Sequence, residues 1–115
     1  MPRNVGARGW KEAAPVFAAL GDETRLLVVS RLCEEGPQSI AKLTHGSNVT
    51  RQAVTKHLQV LAQVGLVSST REGRETVYQM RPKRLSKAQQ LLGLISQEWD
   101  ETVNRLKAFV EEDDR

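Results

Sequence analysis

Apolar and polar positions follow a helical period along most of the chain. The spacing predicts five helices, over residues 11–20, 23–35, 39–44, 50–65 and 85–112. Gly21 suits the end of the first helix and Asp22 the start of the second. Gly36 and Pro37 then form a stop. Residues 1–10 show no such period and are predicted to be a flexible arm.

The period changes from helical to alternating after the fourth predicted helix. Two short β-rich runs follow, LVSSTRE and ETVYQMR, and a glycine turn lies between them in EGRE. We therefore expect a β-hairpin held by Val67, Val77 and Tyr78, with Pro82 ending its second strand. The predicted fold is mostly α with a small β-hairpin.

The fourth predicted helix has one apolar side and one polar side. Its apolar side consists of Val54, Leu58, Leu61 and Ala62, which would pack it on the preceding helices. The polar side has no Asp or Glu, whereas a solvated helix usually mixes acids with its lysines. It carries instead side chains that donate to phosphates or contact base edges, namely Arg51, Gln52, Thr55, Lys56 and Gln59, with Thr50 as the predicted N-cap. We interpret this side as a surface that lies in a groove of DNA.

The neighbouring segments fit the same interpretation. The third and fourth predicted helices have the proportions of a helix-turn-helix, over about residues 39–65. The hairpin, over about 66–81, would then be a wing. Its tip carries Arg71 and Arg74, which could reach the minor groove or its phosphates. Each feature alone is common in other proteins, but their order together favours a DNA-binding protein.

Charge is distributed unevenly along the chain, whose net charge is +3. Residues 48–84 hold seven Lys and Arg against two Glu, a net charge of +5. Residues 98–115 hold three basic and seven acidic side chains, a net charge of −4. This pattern favours a polyanion-binding middle segment, although two solvated faces of opposite sign would also produce it.

Residues 16–80 resemble the ArsR family of bacterial and archaeal winged-helix repressors. The most specific pieces are LGDETR, QAVTKHLQVLAQVGLV and the wing REGRETVYQM. The resemblance implies a winged helix-turn-helix homodimer that binds double-stranded DNA at a palindromic operator and is released by a signal. It also implies that Gln52, Thr55 and Lys56 meet bases. Thr50, Arg51 and the wing arginines would meet phosphates or the minor groove.

Many members of that family sense metals, through a cysteine pair before the recognition helix or through Asp and His pairs on the last helix. Here QSIAKLTHG has no cysteine and the last predicted helix has no histidine. His45, in the turn, and His57, on the flank of the apolar side, do not supply the three or four converging ligands that zinc needs. We therefore expect no metal site and no cofactor. The sequence identifies no effector.

Cys33 is the single cysteine of the chain. Its place on an apolar stripe with Leu26, Val29 and Leu32 predicts a buried, inert thiol, since reactive cysteines need exposure and positive neighbours. Arg25, about two turns earlier on the same helix, could be such a neighbour, but its position beside Asp22 fits a local structural contact better.

The last predicted helix carries a heptad pattern. Leu85, Leu92, Trp99 and Leu106 recur every seven residues, and Ile95 lies beside them. So wide a stripe would be an aggregation hazard if exposed, which favours a two-fold partner that buries it. Trp10 and Phe17 of the first predicted helix are expected to extend this dimer interface. Packing of the long helix on its own domain is the alternative.

Other classes of protein fit less well. The chain offers no Cys/His pair in reach, no paired carboxylates in an apolar setting and no phosphate-binding glycine loop, so we expect no enzyme. A winged-helix module that contacts proteins is the main alternative to DNA binding, but its surface would need aromatic or Met anchors.

With no long apolar run and no signal-type segment, the expected location is cytoplasmic. A single winged-helix domain over residues 11–115, ending in a dimerisation helix over about 85–112, is the predicted organisation.

Overall fold

Five helices and one small antiparallel sheet form the part of the chain described by a computed structural model, which covers the backbone of residues 6–113 and the side chains of residues 9–112. In chain order the elements are α1 (Gly6–Leu20), α2 (Glu23–Glu35), β1 (Gln38–Ser39), α3 (Ile40–Thr44), α4 (Arg51–Gln63), β2 (Val67–Glu72), β3 (Glu75–Met80) and α5 (Pro82–Asp113). The predicted helical fold with a small hairpin and a long last helix is confirmed.

Side chains cap three of these helices from the residue just before each helix. Asp22, Ser39 and Thr50 each accept a hydrogen bond from the backbone N–H three residues later, at 3.0, 3.1 and 3.1 Å. These bonds satisfy donors that a helix start otherwise leaves unpaired. Gly36, with a φ of 78°, ends α2, and its N–H donates to the Leu32 carbonyl at 3.1 Å. The chain therefore turns where its capping residues predict.

The sheet has the strand order β1-β3-β2. β2 and β3 form the predicted hairpin, in a register that runs from Val67 opposite Met80 to Glu72 opposite Glu75. Gly73 opens its two-residue turn with a φ of 62°, which a glycine adopts without strain. β1 was not predicted, because two residues are too short to show an alternating period.

The core lies between α1, α2, α4 and the sheet. Leu58, Leu61 and Leu66 have no exposed surface, so α4 and the strand after it are anchored most deeply. Around them lie the other residues of the same buried cluster, Val16, Ala19, Val28, Val29, Leu32, Leu43, Val54, Val67, Tyr78 and Ala88. Ala62, which we expected on the apolar side of α4, is exposed.

The first helix begins at Gly6, five residues before its predicted start. Residues 6–10 are therefore helical and do not belong to a flexible arm, while residues 1–5 lie outside the described residues. Pro15 lies inside α1. Lys11, whose carbonyl loses its usual helical donor at Pro15, is exposed, so solvent can satisfy that carbonyl.

α2 buries a different face from the predicted one. Val28, Val29 and Leu32 are buried, whereas Leu26 and Cys33 are exposed. The inward face is turned by about one residue from the predicted stripe, and the half-buried Arg25 continues it at its N-terminal end. The predicted burial of the Cys33 thiol is therefore wrong.

Candidate nucleic-acid interface

The outer face of α4 brings together all six side chains that the sequence predicted for it. Five of them, Thr50, Arg51, Gln52, Lys56 and Gln59, are exposed, and Thr55 is half-buried. The six border a single open, shallow depression on the surface. A helix that presents such a face can enter the major groove of B-DNA, which admits an α-helix.

Packing of the opposite face fixes this orientation. Val54, Leu58 and Leu61, at a spacing of four and three residues, are buried in the core. α2 holds α3 in its place beside α4. Arg31 of α2 donates to the carbonyls of Leu43 and Lys42 in α3, at 3.0 and 3.3 Å. The polar face of α4 is thereby held outward on a rigid support.

The two threonines on α4 have different hydrogen-bonding capacity left for a ligand. Thr50 Oγ1 accepts from the Ala53 N–H, which leaves its hydroxyl proton free to donate. Thr55 Oγ1 donates to the Arg51 carbonyl at 2.8 Å, so its remaining capacity is that of an acceptor. Thr50 therefore suits a phosphate oxygen, and Thr55 suits a base amino group or, through its methyl, a thymine methyl.

The charge on this face is entirely positive. α4 contains no Asp or Glu, and Arg51 and Lys56 lie in its first two turns. The N-terminal end of a helix also carries a partial positive charge from its unpaired N–H groups. Both features attract anions to the beginning of α4.

The tip of the hairpin carries acids as well as the predicted arginines. Arg71 and Arg74 are both exposed, and Arg71 Nε donates to the Gly73 carbonyl at 3.3 Å, within the turn. Glu72 and Glu75 stand directly opposite each other across the strands. Two arginines and two glutamates leave this tip with no net charge, which weakens its attraction for phosphates. Both glutamates are visible in the EGRE motif and were counted in the charge of residues 48–84, but the role predicted for the tip rested on Arg71, Arg74 and the glycine turn.

A polar junction behind α4 was not predicted. Arg25 Nε donates to the Ala19 carbonyl at 2.6 Å, and Arg25 Nη1 lies 3.5 Å from His57 Nδ1. His57 Nδ1 also lies 3.9 Å from Asp22 Oδ2. The expected local contact between Asp22 and Arg25 is present, through the Arg25 backbone N–H at 3.0 Å. These residues are 32 and 35 positions from His57 in sequence, so no local pattern shows their contact.

The backbone N–H of Arg25 is the main reason that the pKa of Asp22 lies below its usual value of 3.8, because it donates to the ionised carboxylate. Burial is the next-largest effect and raises the pKa, while the positive charge of Arg25 and the ring of His57 lower it further. Asp22 is therefore ionised at neutral pH and favours positive charge at this junction.

The seven residues predicted for a dimer interface divide into two groups. Trp10, Leu92, Ile95, Trp99 and Leu106 are exposed, Trp99 by 67%. Phe17 and Leu85 pack on the protein's own core instead. The first turns of α5 lie against α1, where Ala88 and Leu91 are buried. The same helix face continues beyond them as an uncovered apolar stripe that includes Phe109 and Val110.

Two further findings concern metals and membranes. Across the described side chains, no three His, Cys, Asp or Glu residues are placed so that they could hold a metal ion. Over the same part of the chain, no helix combines the length and the apolar character that crossing a bilayer requires.

The helix-turn-helix followed by a two-stranded wing defines the class of winged helix-turn-helix proteins. Comparison with known proteins supports this class. The model of the arsR family of bacterial regulatory proteins matches residues 22–69. An ArsR-like transcriptional regulator from Rhodococcus sp. RHA1 superposes with a TM-score of 0.71 at 39% identity, covering 87% of this chain and 93% of that one. The homodimeric winged helix-turn-helix domain Mb0332 of Mycobacterium bovis gives a TM-score of 0.59 at 23% identity, over 83% and 84%.

Two relatives are similar in sequence. The uncharacterised HTH-type transcriptional regulator YuzN of Bacillus subtilis is 41% identical over 68 residues, which is 54% of this chain and 74% of YuzN. The arsenical resistance operon repressor of Bacillus subtilis is 28% identical over 82 residues, 71% of this chain and 72% of that protein. The chain belongs to the arsR family. It is a transcriptional regulator with a winged helix-turn-helix DNA-binding fold, and the family and these relatives are regulators, not enzymes.

Proposed function

We propose that the protein represses transcription by binding a palindromic DNA operator as a homodimer. The observation that carries the proposal is the outer face of α4, which is exposed, free of acids and bordered by Arg, Lys, Gln and Thr side chains. Gln52, Thr55 and Lys56 would contact base edges, while Thr50, Arg51 and Gln59 would contact the flanking backbone. Arg71 and Arg74 would contact phosphates or the minor groove from the wing.

The homodimer is supported by the uncovered stripe on α5. Leu92, Ile95, Trp99 and Leu106 are exposed apolar side chains on one face, and Trp10 of α1 is exposed as well. A second copy would bury this face under a two-fold axis. Two copies of α4 would then enter successive major grooves about 34 Å apart, which is why a palindromic operator is expected. A repressor role is in keeping with the name of the Bacillus relative.

We further propose that DNA binding uses no metal cofactor. His57 Nδ1 faces the guanidinium of Arg25, a positive charge that disfavours a metal cation at that nitrogen. The single cysteine, Cys33, lies on the exposed side of α2. Binding to a promoter fragment should therefore be unchanged by a chelator and by added zinc. The protein would act in the cytoplasm, together with the DNA that it binds.

Selection of fragments from genomic DNA tests the proposal most directly. A fragment that contains an inverted repeat should be enriched, and its affinity should fall steeply between about 50 and 200 mM salt, since each neutralised phosphate releases counterions. The same protein should form a dimer in sedimentation at the concentrations used. Failure to enrich any fragment, together with a salt-independent affinity for DNA, would favour the protein-interaction module instead.

A further inference from the structure

A single arginine connects three helices of the proposed DNA-binding unit. Arg25 belongs to α2, its Nε donates to the Ala19 carbonyl of α1 at 2.6 Å, and its Nη1 lies 3.5 Å from Nδ1 of His57 on α4. Its side chain is half-buried between these helices. Arg25 therefore holds α4 to the helices behind it by polar contacts, in addition to the apolar packing of the core.

Each of these contacts has a defined chemical requirement. Ala19 lies in the last turn of α1, where backbone carbonyls have no helical donor and need another partner. Arginine can donate only, so the contact with His57 requires a lone pair on Nδ1. The contact therefore favours the tautomer with its proton on Nε2. Asp22 Oδ2 lies 3.9 Å from the same nitrogen, and its negative charge also attracts the Arg25 guanidinium to the junction.

The junction lies where two proposed surfaces meet. α1 carries Trp10, which belongs to the proposed dimer interface, and α4 carries the proposed base contacts. His57 directly follows Lys56 on α4, so a shift of the helix at His57 also moves Lys56 relative to the DNA. In a dimer with two fixed half-sites, such a shift changes how both copies of α4 fit the grooves.

We propose that Arg25 is a positioning residue, which fixes the angle of α4 relative to α1 and so sets the discrimination between operator and other DNA. The role rests on the proposed operator binding. Arg25 itself touches no DNA in this arrangement, because it lies behind α4. Its loss should affect sequence discrimination far more than general attraction to DNA.

Binding to two duplexes tests this role, one selected by the wild-type protein from a random library and one with the same composition in scrambled order. In Arg25→Gln, affinity for the selected duplex should fall by about tenfold or more, while affinity for the scrambled duplex changes by no more than about twofold. Arg105→Gln removes the same charge from the exposed surface of α5 and is the matched control. Affinities are compared at a temperature at which circular dichroism shows every variant folded.

Variants of His57 separate positioning from folding. His57→Leu keeps the bond from Arg25 to Ala19 and has a better helix propensity, yet it should lose discrimination as Arg25→Gln does. His57→Asn places an acceptor oxygen near the position of Nδ1 and should restore discrimination. The double variant Arg25→Gln/His57→Leu should be no worse than Arg25→Gln alone, because that variant has already lost the contact with His57. Additive losses, equal losses on both duplexes, or failure of His57→Asn to restore binding would overturn the proposal.

Nitrogen-15 spectra of the histidine rings test the contact without DNA, so the outcome is independent of the proposed function. In the wild-type protein the His57 ring should carry its proton on Nε2 and leave Nδ1 as the acceptor, and this preference should weaken in Arg25→Gln. A proton on Nδ1 in the wild type would overturn the contact, even if an operator were found. If no duplex is selected from the library, operator binding fails, and with it the positioning role, even where the spectra show the contact.

Discussion

The hydroxyl oxygen of Thr50 accepts a hydrogen bond from the backbone N–H of Ala53 at 3.1 Å, and this N-cap of α4 also lies at the edge of the proposed DNA-binding face. Two roles meet in one side chain. As a cap it pairs a backbone donor at the helix start, and its unused proton can bond to a phosphate. Stability and DNA affinity are therefore expected to change together when this hydroxyl is removed.

Thr50→Ala should lower the free energy of unfolding by about 1 kcal/mol, because the N–H of Ala53 loses its partner. The same change should weaken binding to operator and random DNA alike, since a phosphate contact carries no sequence information. Thr50→Ser keeps the hydroxyl and is the matched control. Urea denaturation measures the first effect, and unchanged stability of Thr50→Ala would contradict the capping role.

Gln52→Ala and Lys56→Ala should each reduce the preference for operator over scrambled DNA by about 1–3 kcal/mol for a lost bidentate contact. Both side chains are exposed, so the fold should not change. Gln63→Ala removes the same amide group from the other end of α4 and should leave the preference intact. Equal weakening on both duplexes would show that Gln52 and Lys56 contact only phosphates.

The candidate site was predictable because its residues are close in sequence. Thr50 to Gln59 lie on about three turns of one helix, and the absence of acids on that helix can be seen in the sequence without a structure. The wing was also predictable, since alternation and a glycine turn are local signals. The start of α1 was missed because Gly6 and Gly9 weaken the helical signal where the structure is helical.

Contacts between distant segments were not predictable. β1 exists only because Gln38 pairs with Tyr78, forty residues away. Arg25 meets His57 because the core brings α2 against α4, and neither residue type indicates the other. The exposure of Cys33 has the same origin: the inward face of α2 is chosen by its neighbours, and an apolar period alone fixes it only to within about one residue.

Asp22 makes stability depend on pH in the acid range. Its pKa is lowered in the folded protein, chiefly by the Arg25 N–H, so the folded state binds fewer protons than the unfolded state. The stabilisation from its charge is complete above the ordinary value of 3.8 and is lost as the pH falls through the lower, folded pKa.

Asp22→Asn keeps a good capping side chain without the charge, so its melting temperature should fall less between about pH 5 and pH 3 than that of the wild type. Glu23→Gln, a neutral replacement at the next, exposed position, is the control and should follow the wild type. Parallel pH profiles for Asp22→Asn and the wild type would show that the charge of Asp22 does not contribute to stability.

Arg74→Ala should reduce the slope of log affinity against log salt by about 0.9, the amount for one lost phosphate contact. Glu75→Gln should increase affinity, because it removes a negative charge at the wing tip and relieves its repulsion of Glu72 across the hairpin. Binding titrations at four salt concentrations measure both effects. A slope unchanged in Arg74→Ala would place the tip of the wing away from the DNA.

Trp99→Asp should separate the proposed dimer, because it places a charge in the middle of the exposed apolar stripe of α5. Gln97→Asp introduces the same charge on the opposite side of that helix, where it meets only solvent, and should remain dimeric. Sedimentation velocity distinguishes the two.

The monomer should also lose operator binding, although Trp99 lies far from α4 in sequence and on another helix, since one copy of α4 makes only half of the contacts. Because α5 packs on α1 through Ala88 and Leu91 at its beginning, Trp99→Asp should leave the fold of each monomer intact, which circular dichroism can verify. A dimer that persists in Trp99→Asp would refute the assignment of this stripe to the interface.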